Sequence, residues 1–184
     1  MLSRAYITAA ICHGNLHVAT VEQEVVGVIC WYGPHQEMDL TENTYYSQFW
    51  RELDNIRKVW LQEQFYLVVK EKLPRIGYPL TLGSKDRYLI QYLGIKGGYE
   101  GNEVGVKLIQ ECLNKVRQDS RIEAAVACSI APQHMLSEFL AAGMNTTAFM
   151  TCPSPWSTNG ICLYSIVYQK AAPADHRLLG VWNG

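Results

Sequence analysis

Residues 87–130 carry the pattern of a β-α-β unit. Arg87 to Ile95 is an apolar run rich in Tyr, Leu and Ile. The loop Lys96-Gly97-Gly98-Tyr99-Glu100-Gly101-Asn102 follows it. Residues 103–117 then space Val104, Leu108, Ile109, Cys112, Leu113 and Val116 along one helical face. Ile122 to Ile130 is a second apolar run, consistent with a buried, parallel strand.

The rest of the chain builds around this unit. Leu2, Ala5, Tyr6, Ala9 and Ala10 recur at helical spacing, and Gly14 follows as a stop. Leu16 to Val21 and Val25 to Trp31 are β-branched runs joined by Glu22-Gln23-Glu24, a predicted hairpin. Residues 41–73 contain no Gly or Pro and carry large apolar side chains, which predicts one or two helices with Thr41 as N-cap. Residues 74–86, broken by Pro74, Gly77, Pro79 and Gly83, read as a loop. Residues 132–142 read as a helix opened by Pro132 and closed by Gly143. Met144 to Cys152 and Ile161 to Gln169 are two further strands, and 171–184 reads as a loosely attached tail. The order is helix, hairpin, helical insert, then β-α-β-α-β-β. That is a single mixed α/β or α+β domain over residues 1–170.

Composition narrows the class. The 184 residues suit one domain that holds its own core without disulfides or metal. A net charge of -1 excludes a strongly basic nucleic-acid binder. No window approaches the ~18–20 apolar residues of a membrane span, and the N-terminus lacks the apolar core of a secretory signal. A cytoplasmic location without membrane contact is expected. The cysteines Cys12, Cys30, Cys112, Cys128, Cys152 and Cys162 show no CxxC spacing, so they read as reduced thiols and no metal site is expected.

The Gly-rich loop is the segment that points to chemistry. A helix start offers backbone N–H groups and a positive dipole end, which suit a phosphate or pyrophosphate. Glycines allow close backbone approach. Neither the GxGxxG spacing nor the Gly-Lys-Ser/Thr of a P-loop is present. From spacing alone, two readings stand: a phosphate loop, or glycines that serve only a tight turn.

The stretch from Leu93 through Gly105 resembles motif A of the GNAT superfamily of N-acetyltransferases. In that motif a strand and loop lead to Gln/Arg-x-x-Gly-x-Gly/Ala at a helix start. Phe139-Leu140-Ala141-Ala142-Gly143-Met144 is similar to the family's Tyr-x-x-x-Gly-Phe element, and Val25 to Trp31 to its "vGv-a-W" strand. Glu100 stands where the family has Gln or Arg, Glu103 at the first motif glycine, and Phe139 in place of Tyr. Two carboxylates beside a pyrophosphate repel it unless both point outward. The chain opens at the counterpart of the family's second helix, so the first strand and helix are expected to be missing.

The resemblance implies a GNAT-like fold: a mixed, mostly antiparallel sheet splayed between two parallel strands and flanked by helices, with an insert at about 41–73. It implies acetyl-CoA as cofactor. Backbone groups of Leu93 and Ile95 would hold the pantetheine arm. Glu100, Gly101, Asn102, Glu103, Val104, Gly105 and Val106 would meet the pyrophosphate. It also implies direct attack of a small-molecule amine on the thioester. Candidate bases are His35, Glu37 and Asp39, after the strand that ends at Trp31. Each also reads as a solvated loop residue. His134 reads as exposed and idle, and Cys128 as a core thiol. Trp31, Tyr32, Trp50, Trp60 and Phe139 are expected to line an apolar substrate pocket, though they suit a core equally. Two other readings stay open. One is a GNAT fold that has left CoA, as another enzyme or an inactive binding module. The other is a partner-binding protein using its aromatic insert. Formation of a homodimer is left open.

Overall fold

The computed structural model describes residues 1–78, 87–120 and 126–170. Helix α1 (Leu2–His13) leads into β1 (Asn15–Val21) and β2 (Glu24–Tyr32). The hairpin turn at Glu22 and Gln23 has φ of 49° and 70°, the left-handed pair that matches strand twist. Gly14 is needed where α1 ends, since a Cβ there would stand 2.7 Å from the Tyr32 ring.

The insert is helical apart from residues 41–43 and a break at Leu53 and Asp54. Helix α2 (Thr44–Glu52) is capped by Asn43, whose side chain accepts from Tyr46 N–H at 3.1 Å. Thr41, the expected cap, instead gives its N–H to Asp39 Oδ1 at 2.8 Å. Helix α3 (Asn55–Trp60) is capped by Asp54 and runs on through π turns at Leu61–Phe65 and Val68–Lys72 into α4 (Leu73–Gly77). Residues 74–77, expected in a loop, are therefore helical. Pro74 sits in the first turn of α4, directly after the π turn at Val68–Lys72. Residues 79–86 lie outside the described residues.

The β-α-β unit forms as its pattern predicts. Strand β3 (Tyr88–Ile95) leads to α5 (Val104–Gln118) and then β4 (Val126–Pro132). Of the expected strand 122–130, residues 126–130 are strand and the strand runs on to Pro132; 121–125 lie outside the described residues. Pro132 closes β4 opposite Leu163 rather than opening a helix. A 3-10 turn at Gln133–Met135 and a short α6 (Leu136–Ala141) replace the single expected helix. Strands β5 (Asn145–Ser154) and β6 (Ser157–Gln169) form a longer hairpin than expected, because Ser154 pairs with Ser157 across a tight turn. The expected tail 171–184 is outside the described residues.

Among the described residues the strands make one open sheet, in the order β1-β2-β3-β4-β6-β5. Only β3 and β4 are parallel. One face packs on α5 and α6, burying Ile29, Trp31, Ile90, Leu113 and Phe139. The other face is covered in two parts. Residues of α1 meet Cys30 and Tyr32. The insert lays Trp60, Val68 and Leu73 against Cys152 and Leu163 of the hairpin. This burial holds the insert in place, since no residue of α2 or α3 is itself fully buried.

All six cysteines are free thiols. No described helix is long and apolar enough to cross a membrane, and no described His, Cys, Asp and Glu side chains cluster in threes.

Candidate functional site

A slot opens within the sheet where its two parallel strands part. The β3–β4 ladder has three pairs, Tyr88 with Ala127, Leu89 with Cys128 and Ile90 with Ser129. Both strands continue past it, β3 to Ile95 and β4 to Pro132, without pairing each other among the described residues. A register shift between Cys30 and Trp31 leaves Gln91 as the extra residue of β3 at the point of divergence. A bulge of this kind bends a strand and ends pairing.

The slot's β3 edge carries ordered polar groups. Lys96 N–H donates to Val26 O at 2.8 Å, next to the pair Gly27–Ile95. That bond makes Gly27–Ile95 a non-hydrogen-bonded pair, and Ile29–Leu93 is the next of the same kind. The N–H and C=O of Leu93 and Ile95 therefore turn away from β2, into the slot. The structure thus brings together the two residues expected to meet an extended amide-bearing ligand.

The loop and the start of α5 close the open end. Gly98 and Gly101 have φ of 87° and 78°, and a Cβ on either would meet nothing within 4 Å. Their freedom serves the turn and leaves open space above it. The carboxylate of Glu100 accepts from Gly98 N–H at 2.7 Å. Lys96 pairs with Glu24. Glu103 caps α5 in the left-handed conformation, φ 60°, without a side-chain capping bond, and reaches out to Lys107 Nζ at 3.4 Å. Both loop acids are thereby held off the helix end. Gly27 lets α5 sit close on β2: a Cβ there would stand 2.6 Å from Val104 Cγ1.

A different acid occupies the helix start. Val106 N–H donates at 3.1 Å to Oε2 of Glu138, a residue that is only 8% exposed. A Cβ on Gly105 would stand 2.7 Å from that oxygen and 2.7 Å from Ile95 Cδ1. Glu138 was missed by motif reading. The signal for it was an acid interrupting the apolar face of α6, one residue before Phe139.

The other expected residues are scattered. His35, Glu37 and Asp39 lie on an exposed loop after β2. Tyr32 pairs with Leu89 and Gly27 with Ile95, so that loop stands at the end of β2 away from the Gly-rich loop. The hydroxyl and N–H of Thr41 hold the Asp39 carboxyl below the usual carboxylate range, which weakens it as a base. His35 has a left-handed φ of 63°.

The five proposed pocket residues do not meet. Trp31 and Tyr32 are neighbours in a strand and so bury on opposite faces, Trp31 beside Tyr88 and Tyr32 beneath α1. Phe139 is a core residue, 2% exposed. Trp50 contacts Tyr46, Phe49 and Tyr66 within the insert. Trp60 donates its indole N–H to Pro153 O and stacks on Phe65 and Trp156. Trp60 lines an apolar groove of about 650 Å³ between α3 and the hairpin turn. Trp31 lines a polar hollow of about 530 Å³ beside Tyr88 and Asp119. Neither cavity includes Leu93, Ile95 or Gly105 of the slot.

On the α1 side of the slot the ring of Tyr92 stands 5.8 Å from that of Tyr6. Tyr92 Oη reaches over Gly94, 2.8 Å from where a Cβ would stand. Burial pushes the Tyr6 hydroxyl up to about 12.

No family model matches the sequence, and none of the curated proteins matches it. Solved structures do match. A histone acetyltransferase HPA2 and related acetyltransferase from Corynebacterium glutamicum is 12% identical with TM-score 0.51, over 94% of this chain and 71% of that one. A mosquito arylalkylamine N-acetyltransferase like 5b is 12% identical with TM-score 0.53, over 85% of this chain and 75% of that one. The chain has the GNAT fold, an open mixed six-stranded sheet with flanking helices. At such identities the likeness concerns fold alone.

Proposed function

We propose that the protein transfers an acetyl group from acetyl-CoA to an amine of a small molecule. The observation that carries this reading is the slot: β3 and β4 part after Ile90–Ser129, and Leu93 and Ile95 turn free backbone groups into the gap. An arm with amide groups would bind there as an added strand does, through main-chain hydrogen bonds. The solved structures of similar fold are named as acetyltransferases, which supports the same assignment.

The residues fit the two ends of the cofactor unequally. The N–H and C=O groups of Leu93 and Ile95 would hold the amide arm. The phosphate end would be brought toward the start of α5, where Val106 N–H is already bonded to Glu138. Acetyl-CoA supplies an activated acyl carbonyl. In this reading Tyr92, whose Oη reaches over Gly94 of β3, would give a proton to the departing sulfur and take one back from the arriving nitrogen. The half-buried Tyr6 ring stands beside it, 5.8 Å from the Tyr92 ring.

The test is calorimetry with acetyl-CoA, followed by thiol release against a panel of small amines. Heat of binding and amine-dependent thiol release support the reading. No heat at millimolar acetyl-CoA, together with no thiol release, ends it. Glu138 favours a second reading, a GNAT fold that has left CoA, and the same calorimetry separates the two.

A further inference from the structure

The N-terminus of α5 already holds an anion of the protein's own. Helices leave their first N–H groups without internal partners, and a side chain from the residue preceding the helix commonly takes one. Glu103 occupies that place and makes no such bond. The bond is made instead by Glu138 of α6, whose Oε2 accepts from Val106 N–H. This carboxylate is buried, and Gly105 is what admits it, since any side chain there would collide with it. No described Lys or Arg is bonded to Glu138; Lys96 is paired with Glu24, and Lys107 with the exposed Glu103.

Resting on the transferase reading above, we infer that Glu138 occupies the position of a donor phosphate at α5, so that the slot binds its acyl donor through the pantetheine arm and discriminates against the charged nucleotide end. A buried acid at a helix start spends the dipole that would otherwise attract phosphate, and it repels a second anion at short range. Glu100 and Glu103, the acids that the sequence places in the loop, are drawn off by Gly98 N–H and Lys107 and contribute little. Selection against the nucleotide end is therefore a property of one residue on the neighbouring helix.

The test measures Kd for CoA and for pantetheine, the uncharged fragment, on the wild-type chain and on Glu138→Gln. The amide keeps an acceptor for Val106 N–H and removes the charge. Wild type is expected to bind CoA no more than about tenfold more tightly than pantetheine. Glu138→Gln is expected to tighten CoA by about tenfold or more while pantetheine stays within about twofold. Glu111→Gln, an exposed acid farther along α5, is expected to leave both within about twofold. Equal CoA affinity in wild type and Glu138→Gln overturns the inference and leaves the transferase reading standing. Absence of CoA and pantetheine binding in every variant overturns both. Should Glu138→Gln fail to fold, Glu138→Met, of similar length and without charge, carries the same comparison.

Discussion

The Tyr88 hydroxyl donates to Asp119 Oδ2 at 2.5 Å, in a buried setting. Tyr88 opens β3 and Asp119 is the C-cap residue of α5, so the bond ties both ends of the crossover that frames the slot. Tyr88→Phe removes one hydrogen bond to a buried carboxylate. It is expected to destabilise the fold by about 1–3 kcal/mol, read from urea unfolding at constant slope. An unchanged midpoint would mean that the bond contributes nothing net.

Gly27 seats α5 on the sheet. Gly27→Ala would put a methyl 2.6 Å from Val104 Cγ1 and 3.0 Å from Leu108 Cδ1. The start of α5 has to lift, at a cost of about 1–3 kcal/mol. Thermal unfolding reads that cost.

Tyr92→Phe separates proton transfer from binding. With amine and acetyl-CoA it is expected to lower kcat by about a hundredfold while KM for acetyl-CoA changes by less than about threefold. Steady-state thiol release gives both constants. A wild-type kcat in Tyr92→Phe would remove the hydroxyl from the reaction.

Thiol reactivity should sort by burial. Cys12 is exposed and is expected to alkylate first in the native protein, as mass spectrometry of a short labelling pulse would reveal. Burial pushes Cys30, Cys112 and Cys128 from about 9 up to about 12. Their neutral form is favoured by folding, so this contribution is whole below pH of about 9 and drains away as pH rises toward 12. Unfolding midpoints should accordingly fall across that window. Labelling of these three at neutral pH without denaturant would contradict the packing around them.

Much of the fold was legible because its signals are local. Val104, Leu108, Cys112 and Val116 mark one helical face, and the polar Glu22-Gln23-Glu24 between two β-branched runs marks a hairpin, whose turn the structure narrows to Glu22 and Gln23. Leu93 and Ile95 were named through the family resemblance, and strand alternation in β3 turns their backbone groups the same way. The pocket residues failed through the same alternation. Trp31 and Tyr32 are consecutive, so a strand must send them to opposite faces. Trp50 and Trp60 looked alike in sequence, yet one packs within the insert and the other on the β5–β6 turn. Glu138 was hidden because its partner, Val106, is 32 positions away, and only the packing of α5 against α6 joins them.

The π turns at Leu61–Phe65 and Val68–Lys72 mean that the insert holds more residues than an α-helix of its span would use. A surplus residue rotates everything beyond it by about 100°. Here that rotation brings both Trp60 and Val68 onto the hairpin, on either side of Tyr66. The insert's length is therefore fixed by the phase of its contacts. Deleting one residue from Leu61–Phe65 would leave a better α-helix and a worse protein, with Trp60 turned off the β5–β6 turn it now clasps.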